Sequence, residues 1–351
     1  MDGPRRAFLD DLLATDTPSG FEGPGQRRWV EYVEGFADEV RTDAYGNAVA
    51  VLEGGEPSIA LGGHGDEIGF LVRDVDDDGM LRLVPVGGAD RTVSKGQHVL
   101  VHAADGPIRG VVGQAAIHLR DPTKDELEDI DRLHVDIGAD DAADAEALVE
   151  RGDPITFVQH VAELQHDRLT ARGLDNRIGI WAAAEGLRRA AEQDPVATVY
   201  AVSTVQEEVG LQGAKMVGFD LAPDLYVAID VTHATDAPGT PPGATSGITL
   251  GGGPVIARGG ANHPAAVQAA REVAAAAGID VQLEATGTRT GTDADAVFTA
   301  RGAIPSLNVG VPNRYMHTPV EVLDLGDLDA TADLVAGLAA AAHDYRFSVE
   351  F

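Results

Sequence analysis

"ATVYAVSTVQEEVGLQGA", Ala197 to Ala214, is the stretch whose reading decides the fold. Its opening run, "ATVYAVSTV", is apolar or small and rich in β-branched side chains, as a buried strand is. Glu207 and Glu208 stand side by side where that strand should end, with Gly210 just beyond. Paired charges are common on solvated helices, but here they follow a buried segment. Open α/β sheets bind ligands at the carboxyl ends of their strands, so the fold and the site are decided together.

Working outward, "SIALGG" at 58–63, "DLYVAID" at 224–230, "VQLEAT" and "PSLNVGV" also read as strands. Helical apolar spacing marks 177–192, "HPAAVQAAREVAAAAG", "DADAVFTARG" and a closing helix near 327–343. Upstream, residues 5–15 and 24–36 read as helices joined by "TPSGFEG", and "EVRTDAYGNAVAVLEG" as two short strands. Alternating helices and strands predict an α/β fold, a mostly parallel sheet flanked by helices. From 68 to 160 the texture differs. The short runs "IGFLVRDV", "GMLRLVPV", "HVLVHA", "IRGVVG" and "DPITFV", broken by turns and one helix near 141–150, predict a small β-barrel. The expected organisation is a catalytic α/β domain made of 1–67 and 161–351, with the barrel, 68–160, inserted. The glycines of "LGGGPVIARGG" lack the Lys-Ser/Thr pair of a phosphate loop and read as tight turns.

Composition narrows the chemistry. The chain has 351 residues and no cysteine, so any metal must be held by His, Asp or Glu. The net charge of -31 comes from 26 basic and 57 acidic residues and repels nucleic acid and anionic membranes. Lysines occur only at 95, 124 and 215, and so acid-rich and lysine-poor a surface suits a high-salt interior, where ions screen self-repulsion. The first residues lack the apolar core of a signal peptide, and no apolar run reaches the ~18 residues of a membrane span. A cytoplasmic protein of a salt-adapted organism is the expectation.

The strand ends carry one kind of group. "SIALGG" runs into His64 and Asp66, "ARGLDNRIG" places Asp175 before a helix, and the opening stretch ends on Glu207 and Glu208. "DLYVAI" runs into Asp230, and His317 follows the last strand by a loop's length. Taken singly these have ordinary readings: a turn histidine, a helix N-cap, a solvated loop pair, a strand end, a turn before Thr-Pro. Taken together, buried carboxylates repel one another and need cations. Two imidazoles with three or more carboxylates suit zinc, cobalt or manganese rather than magnesium or calcium, and one carboxylate can bridge two such ions. Consecutive side chains of an extended chain diverge. Glu208 can therefore ligate while Glu207 faces an attacking water as a base. His98, His102, His118, His134, His160 and His166 read as structural or surface groups, and His263 as local to a helix start.

The chain resembles the tetrahedral (TET) aminopeptidases, a family of dinuclear metallopeptidases. The resemblance rests on "PSGFEG", "GHGDEIGF", "GLDNRIG", "QEEVGLQGA", "AIDVTHA" and "VPNRYMHTPVEV", in the family's order and across nearly the whole length. It implies two divalent metal ions per subunit. His64 and Asp230 would complete one site, Glu208 and His317 the other, and Asp175 would bridge them. Glu207 would be the general base, and Asp66 the partner that holds His64 in its ligating tautomer. A water between the metals would attack the peptide bond, so that N-terminal residues are removed from short peptides. The resemblance further implies a homo-oligomer, typically a dodecamer, assembled partly through the inserted barrel. Two departures stand out: Gly65, where the family often carries a larger residue, and Arg289 in "GTRTGTDADAV", where the family has a glycine-rich "GGGTDA". The same metal cage also serves related carboxypeptidases and N-acyl amino-acid deacylases, and a non-catalytic peptide-binding protein could keep the fold. A glucanase would need a separated acid/base pair in a sugar cleft, which the sequence does not offer.

Overall fold

The computed structural model describes residues 1, 3–120, 129–241 and 246–349. In chain order the α/β part opens with α1 (Gly3–Ala14), α2 (Gly23–Val33), β1 (Glu39–Thr42), β2 (Ala48–Leu52) and β3 (Gly55–His64). The barrel region holds β4 (Gly69–Val75), β5 (Leu81–Val86), α3 (Arg91–Ser94), β6 (His98–Ala103), β7 (Gly106–Val112), β8 (His134–Asp136), α4 (Ala142–Glu146) and β9 (Pro154–Phe157). The chain then forms β10 (Ala162–Glu163), β11 (Arg168–Ala171), α5 (Leu174–Ala191), β12 (Ala197–Thr204), α6 (Gln212–Asp220) and β13 (Leu225–His233). It finishes through β14 (Val255–Arg258), α7 (Pro264–Ala277), β15 (Gln282–Ala285), α8 (Ala294–Val297), β16 (Ser306–Asn313), β17 (Glu321–Asp324) and α9 (Leu325–Ala340).

Eight strands make one sheet in the order β1-β2-β12-β3-β13-β16-β14-β15. Its centre, β12-β3-β13-β16, is parallel; β2 and β14 join it antiparallel. Strand period puts alternate residues on opposite faces. Ile59, Leu61, Val199, Ala201, Val227 and Ile229 pack on one side with α1, α2, α5, α7 and α9. Ala60, Val202, Tyr226 and Ala228 pack on the other with α6 and α8. Both faces are covered, so the central strands read as continuous apolar runs. Each fully buried Leu or Ile contributes about 1.5–3 kcal/mol, and this packing holds the strand ends in register.

β4-β5-β8-β7-β6-β9 close a barrel. It is filled by alternate residues such as Phe70 and Val72, Leu81 and Leu83, Val99 and Val101, Ile155 and Phe157. Arg172 ties the barrel to the sheet. It reaches Glu67 at 2.7 Å and Asp16 at 2.7 Å, and donates to the Phe157 carbonyl at the end of β9.

Several sequence expectations are shortened. The helix expected near 141–150 is only α4, and "DADAVFTARG" forms α8 followed by one 3-10 turn at Ala300–Gly302. In the second case Arg301 takes φ 52°, which no α-helix continues. "LGGGPVIARGG" is more than turns, since its Val255–Arg258 is β14. α6 and the small β10-β11-β17 sheet were absent from the sequence reading.

Candidate metal centre

The four parallel strands end at one edge, and chemistry-bearing residues gather there. His64 is the last residue of β3, Glu207 and Glu208 follow β12, and Asp230 lies near the end of β13. Asp175 sits in the first turn of α5, where Asp175 and Asn176 depart from helical backbone angles. His317 follows β16 in a left-handed conformation, φ 63°. Every site residue expected from the sequence is brought to this edge.

The distances sort them into two overlapping triads. Asp175 turns one oxygen to each imidazole: Oδ1 is 3.2 Å from His64 Nε2, and Oδ2 is 3.3 Å from His317 Nε2. Asp230 Oδ1 lies 3.7 Å from His64 Nε2, and Glu208 Oε1 lies 3.6 Å from His317 Nε2. Donor atoms of His64, Asp175 and Asp230 are within 4.8 Å of one another, as are those of Asp175, Glu208 and His317. Glu207 stands apart, with Oε2 at 4.0 Å from His64 Nε2 and in neither triad.

The supporting groups set the tautomers. His64 Nδ1 faces Asp66, 3.2 Å from its carbonyl and 3.3 Å from Oδ1, which leaves Nε2 for a ligand. Asp66 also accepts the amides of Glu207 at 2.9 Å and Glu208 at 3.2 Å, and the Ser19 hydroxyl at 2.6 Å. His317 Nδ1 donates to the Gly88 carbonyl at 3.1 Å. Gly88 lies between β5 and β6, so the barrel region orients one imidazole. A side chain there would meet the ring, because a Cβ on Gly88 would fall 2.5 Å from His317 Nδ1.

Electrostatics show what the cluster lacks. Burial, aided by Asp175, pushes the Glu208 and Asp230 carboxyls well above the usual carboxylate range. Burial, with Asp293 and Asp175 adding to it, lifts Glu207 to about 8. His317 is raised to about 9, chiefly by its hydrogen bond to Asp175. Burial opposes protonation of His64, yet its acidic neighbours outweigh that and hold it well above the ordinary imidazole value. The protein alone must therefore supply protons to a site whose carboxylates crowd together. Glu208 Oε1 is buried without a hydrogen-bond partner. A donor set of two imidazoles and three carboxylates, with an orphaned oxygen aimed into it, fits divalent cations.

A cavity of about 400 Å³ opens beside the triads. Its wall includes Thr232, whose hydroxyl donates to Glu284 Oε2 at 2.7 Å, together with Arg289, Asn308 and Met316. A larger cavity, about 940 Å³, lies at the opposite ends of the strands near Asp224, Ser306 and Phe347, away from the triads.

A family model described as M42 glutamyl aminopeptidase matches residues 46–334. The chain belongs to the M42 peptidase family. The lysyl aminopeptidase of Pyrococcus furiosus is 36% identical over 337 residues, 94% of this chain and 95% of that protein. Among solved structures, the TET aminopeptidase of Thaumarchaeota archaeon SCGC AB-539-E09 superposes with a TM-score of 0.90 at 31% identity, covering 96% of both chains. The TET1 peptidase of Pyrococcus horikoshii gives 0.85 at 32% identity, covering 95% of this chain and 99% of that one. The resemblance to TET aminopeptidases and the α/β fold with its barrel are thereby shown. This M42 chain is an aminopeptidase, and its peptide hydrolysis is metal-dependent.

Three supporting groups escaped the sequence reading. Glu321 is buried and accepts the amides of Asp175 and His317, both at 3.0 Å. Asp293 is buried and accepts the Thr204 hydroxyl at 2.6 Å. Gly88 acts through its carbonyl. For Glu321 a signal existed: a charge flanked by apolar residues in "PVEVL". Gly88 carried none, since its role is a backbone atom. Of the histidines set aside, His263 caps α7, accepting the Ala265 amide at 3.3 Å, and His102 meets the Thr156 hydroxyl at 2.9 Å. Among the described residues, no helix is long and apolar enough to cross a membrane.

Proposed function

We propose that His64, Asp175 and Asp230 hold one divalent cation, that Asp175, Glu208 and His317 hold a second, and that zinc, cobalt or manganese occupies them. The observation that carries this is the placement of Asp175, one carboxylate oxygen toward each imidazole. Cations held there would polarise the scissile carbonyl and acidify a water molecule. The chain's own residues do the rest. Glu207, on the cavity wall and outside both triads, accepts the proton of the attacking water and then delivers it to the departing amine. Asp66 fixes Glu207 and Glu208 through their amides, so base and ligand keep their separate directions. The acidic cavity receives the cationic amino terminus of a short peptide, which places the first peptide bond at the centre.

The P. horikoshii TET1 peptidase is described as assembling into a tetrahedron or a large octahedral shell. That supports a homo-oligomer here, a dodecamer built from dimers in which the inserted segment 68–160 makes subunit contacts and 1–67 with 161–351 carries catalysis. The charge of -31 and scarcity of lysine support a salt-rich cytoplasm as the working medium. The test is release of free amino acid from peptides with free and with acetylated amino termini, with and without chelator, at several salt concentrations. Cleavage of the free peptides only, abolished by chelator, is the expected result. Equal cleavage of both, or cleavage insensitive to chelator, refutes the reading.

A further inference from the structure

Glu321 is a buried carboxylate near the centre whose two oxygens are both occupied by main-chain amides. Oε2 accepts the N–H of Asp175 and Oε1 the N–H of His317, each at 3.0 Å. These two residues lie far apart in sequence and come from different elements, the first turn of α5 and the loop after β16. Glu321 itself is anchored. It pairs with Ala171 across the antiparallel β11-β17 ladder, and its neighbour Val322 exchanges hydrogen bonds with Arg314.

Of the two clamped residues, His317 has a backbone that its own preferences would not hold, and Asp175 leaves helical angles inside a helix's first turn. His317 has φ 63° and Tyr315 φ 61°, a region that non-glycine residues occupy only when their surroundings enforce it. Asp175 has ψ 104° at the head of a helix. Without a bonded amide at each, neither side chain has its direction set from behind. The hydrogen bond from His317 Nδ1 to Gly88 fixes the ring's rotation but not the position of its Cα.

We propose that Glu321 is the positioning residue of the second cation site. By accepting the amides of Asp175 and His317 together, it fixes the spacing of two of that site's three donors. This rests on the two-cation reading above. It assigns Glu321 no contact with substrate or cation. The first site, with His64 and Asp230, depends on Glu321 through Asp175 alone.

The test compares wild type with Glu321→Gln and Val322→Ala, each stripped by chelator and titrated with Co(II) alone, by calorimetry and visible absorption. A glutamine keeps the shape but turns an NH2 toward one of the two amides, so one hydrogen bond becomes a donor–donor contact. Wild type should take up two equivalents. Glu321→Gln should keep one near wild-type affinity and bind the second about 10–100-fold more weakly, as loss of outer partners of metal ligands does. Val322→Ala removes buried methyl groups beside Glu321 but leaves both amide contacts. It should melt earlier yet bind both equivalents normally. Should Glu321→Gln not fold, Glu321→Asp, too short to span both amides, carries the same comparison. Two wild-type affinities in the Glu321 variant, or equal weakening in Val322→Ala, overturns the proposal alone. A wild-type protein that takes up no cation overturns the two-cation reading and this one with it.

Discussion

Alanine at Gly88 should weaken one cation without unfolding the protein. The added Cβ would lie 2.5 Å from His317 Nδ1 and 2.8 Å from Cε1. Carbon and nitrogen atoms in ordinary contact are roughly 3.5 Å apart, so the ring must retreat by about 1 Å. That displacement also breaks the 3.1 Å hydrogen bond from Nδ1 to the Gly88 carbonyl. Losing an outer partner of a metal-binding histidine weakens binding about 10–100-fold, or about 1.4–2.7 kcal/mol. A 1 Å misplacement of catalytic geometry costs on the order of 100-fold in rate. His64 and Asp230 are untouched, so the first equivalent should bind normally. The assay is Co(II) titration of apo-protein, with kcat measured at saturating metal. Gly287→Ala is the control for cation affinity: it lines the same cavity, but an added Cβ meets nothing within 4 Å. If Gly88→Ala binds both equivalents as wild type does and turns over normally, the barrel region plays no part in aligning His317.

Glu207→Gln should keep both cations and lose about 10²–10⁴-fold in kcat, the share of a positioned base; near-normal turnover in a metal-loaded variant would show that another group takes the proton. Glu67 is buried between Arg172 and Arg177, with Arg172 at 2.7 Å. Glu67→Gln leaves buried Arg177 without a carboxylate partner and Arg172 with Asp16 alone, and should cost about 3–5 kcal/mol of stability by denaturant melting; a loss under 1 kcal/mol would refute that weight. Burial opposes ionisation of Glu67, but the two arginines outweigh it and hold the carboxyl below its usual 4.5. Its contribution is therefore full above that value and is lost as pH falls through the lower folded one. The variant's stability should lack that acid-side slope.

How much of this was legible follows from where each signal resides. β12, β3 and β13 announced themselves because both their faces are covered, so their apolar runs are unbroken. The donors His64, Glu208 and Asp230 were legible because they interrupt those runs at their carboxyl ends. Asp175 and His317 were picked out with them, but each sits in a loop-like backbone with ordinary alternative readings, and only the family resemblance gave them their ligand roles. α6 was missed because its sequence, "QGAKMVGFD", carries little amphipathic contrast. β14 was hidden by the glycines around it. Gly88 could not be read at all, because a carbonyl's direction depends on how the barrel closes.

Asp66 and Glu321 complete one design from opposite sides. Each is buried, and each places its oxygens on main-chain amides of donor-bearing segments: Glu207 and Glu208 for Asp66, Asp175 and His317 for Glu321. Asp66 adds negative charge to a centre already crowded with it, and burial, with Asp175 nearby, lifts the Glu321 carboxyl to about 8, the mark of a charge that is costly there. A neutral side chain could bridge these segments at lower electrostatic cost, but Asn and Gln present one acceptor and one donor, and each clamp requires two acceptors. Cations at the centre offset the added charge. Removal of metal should therefore loosen the loops these clamps hold before it loosens the sheet beneath.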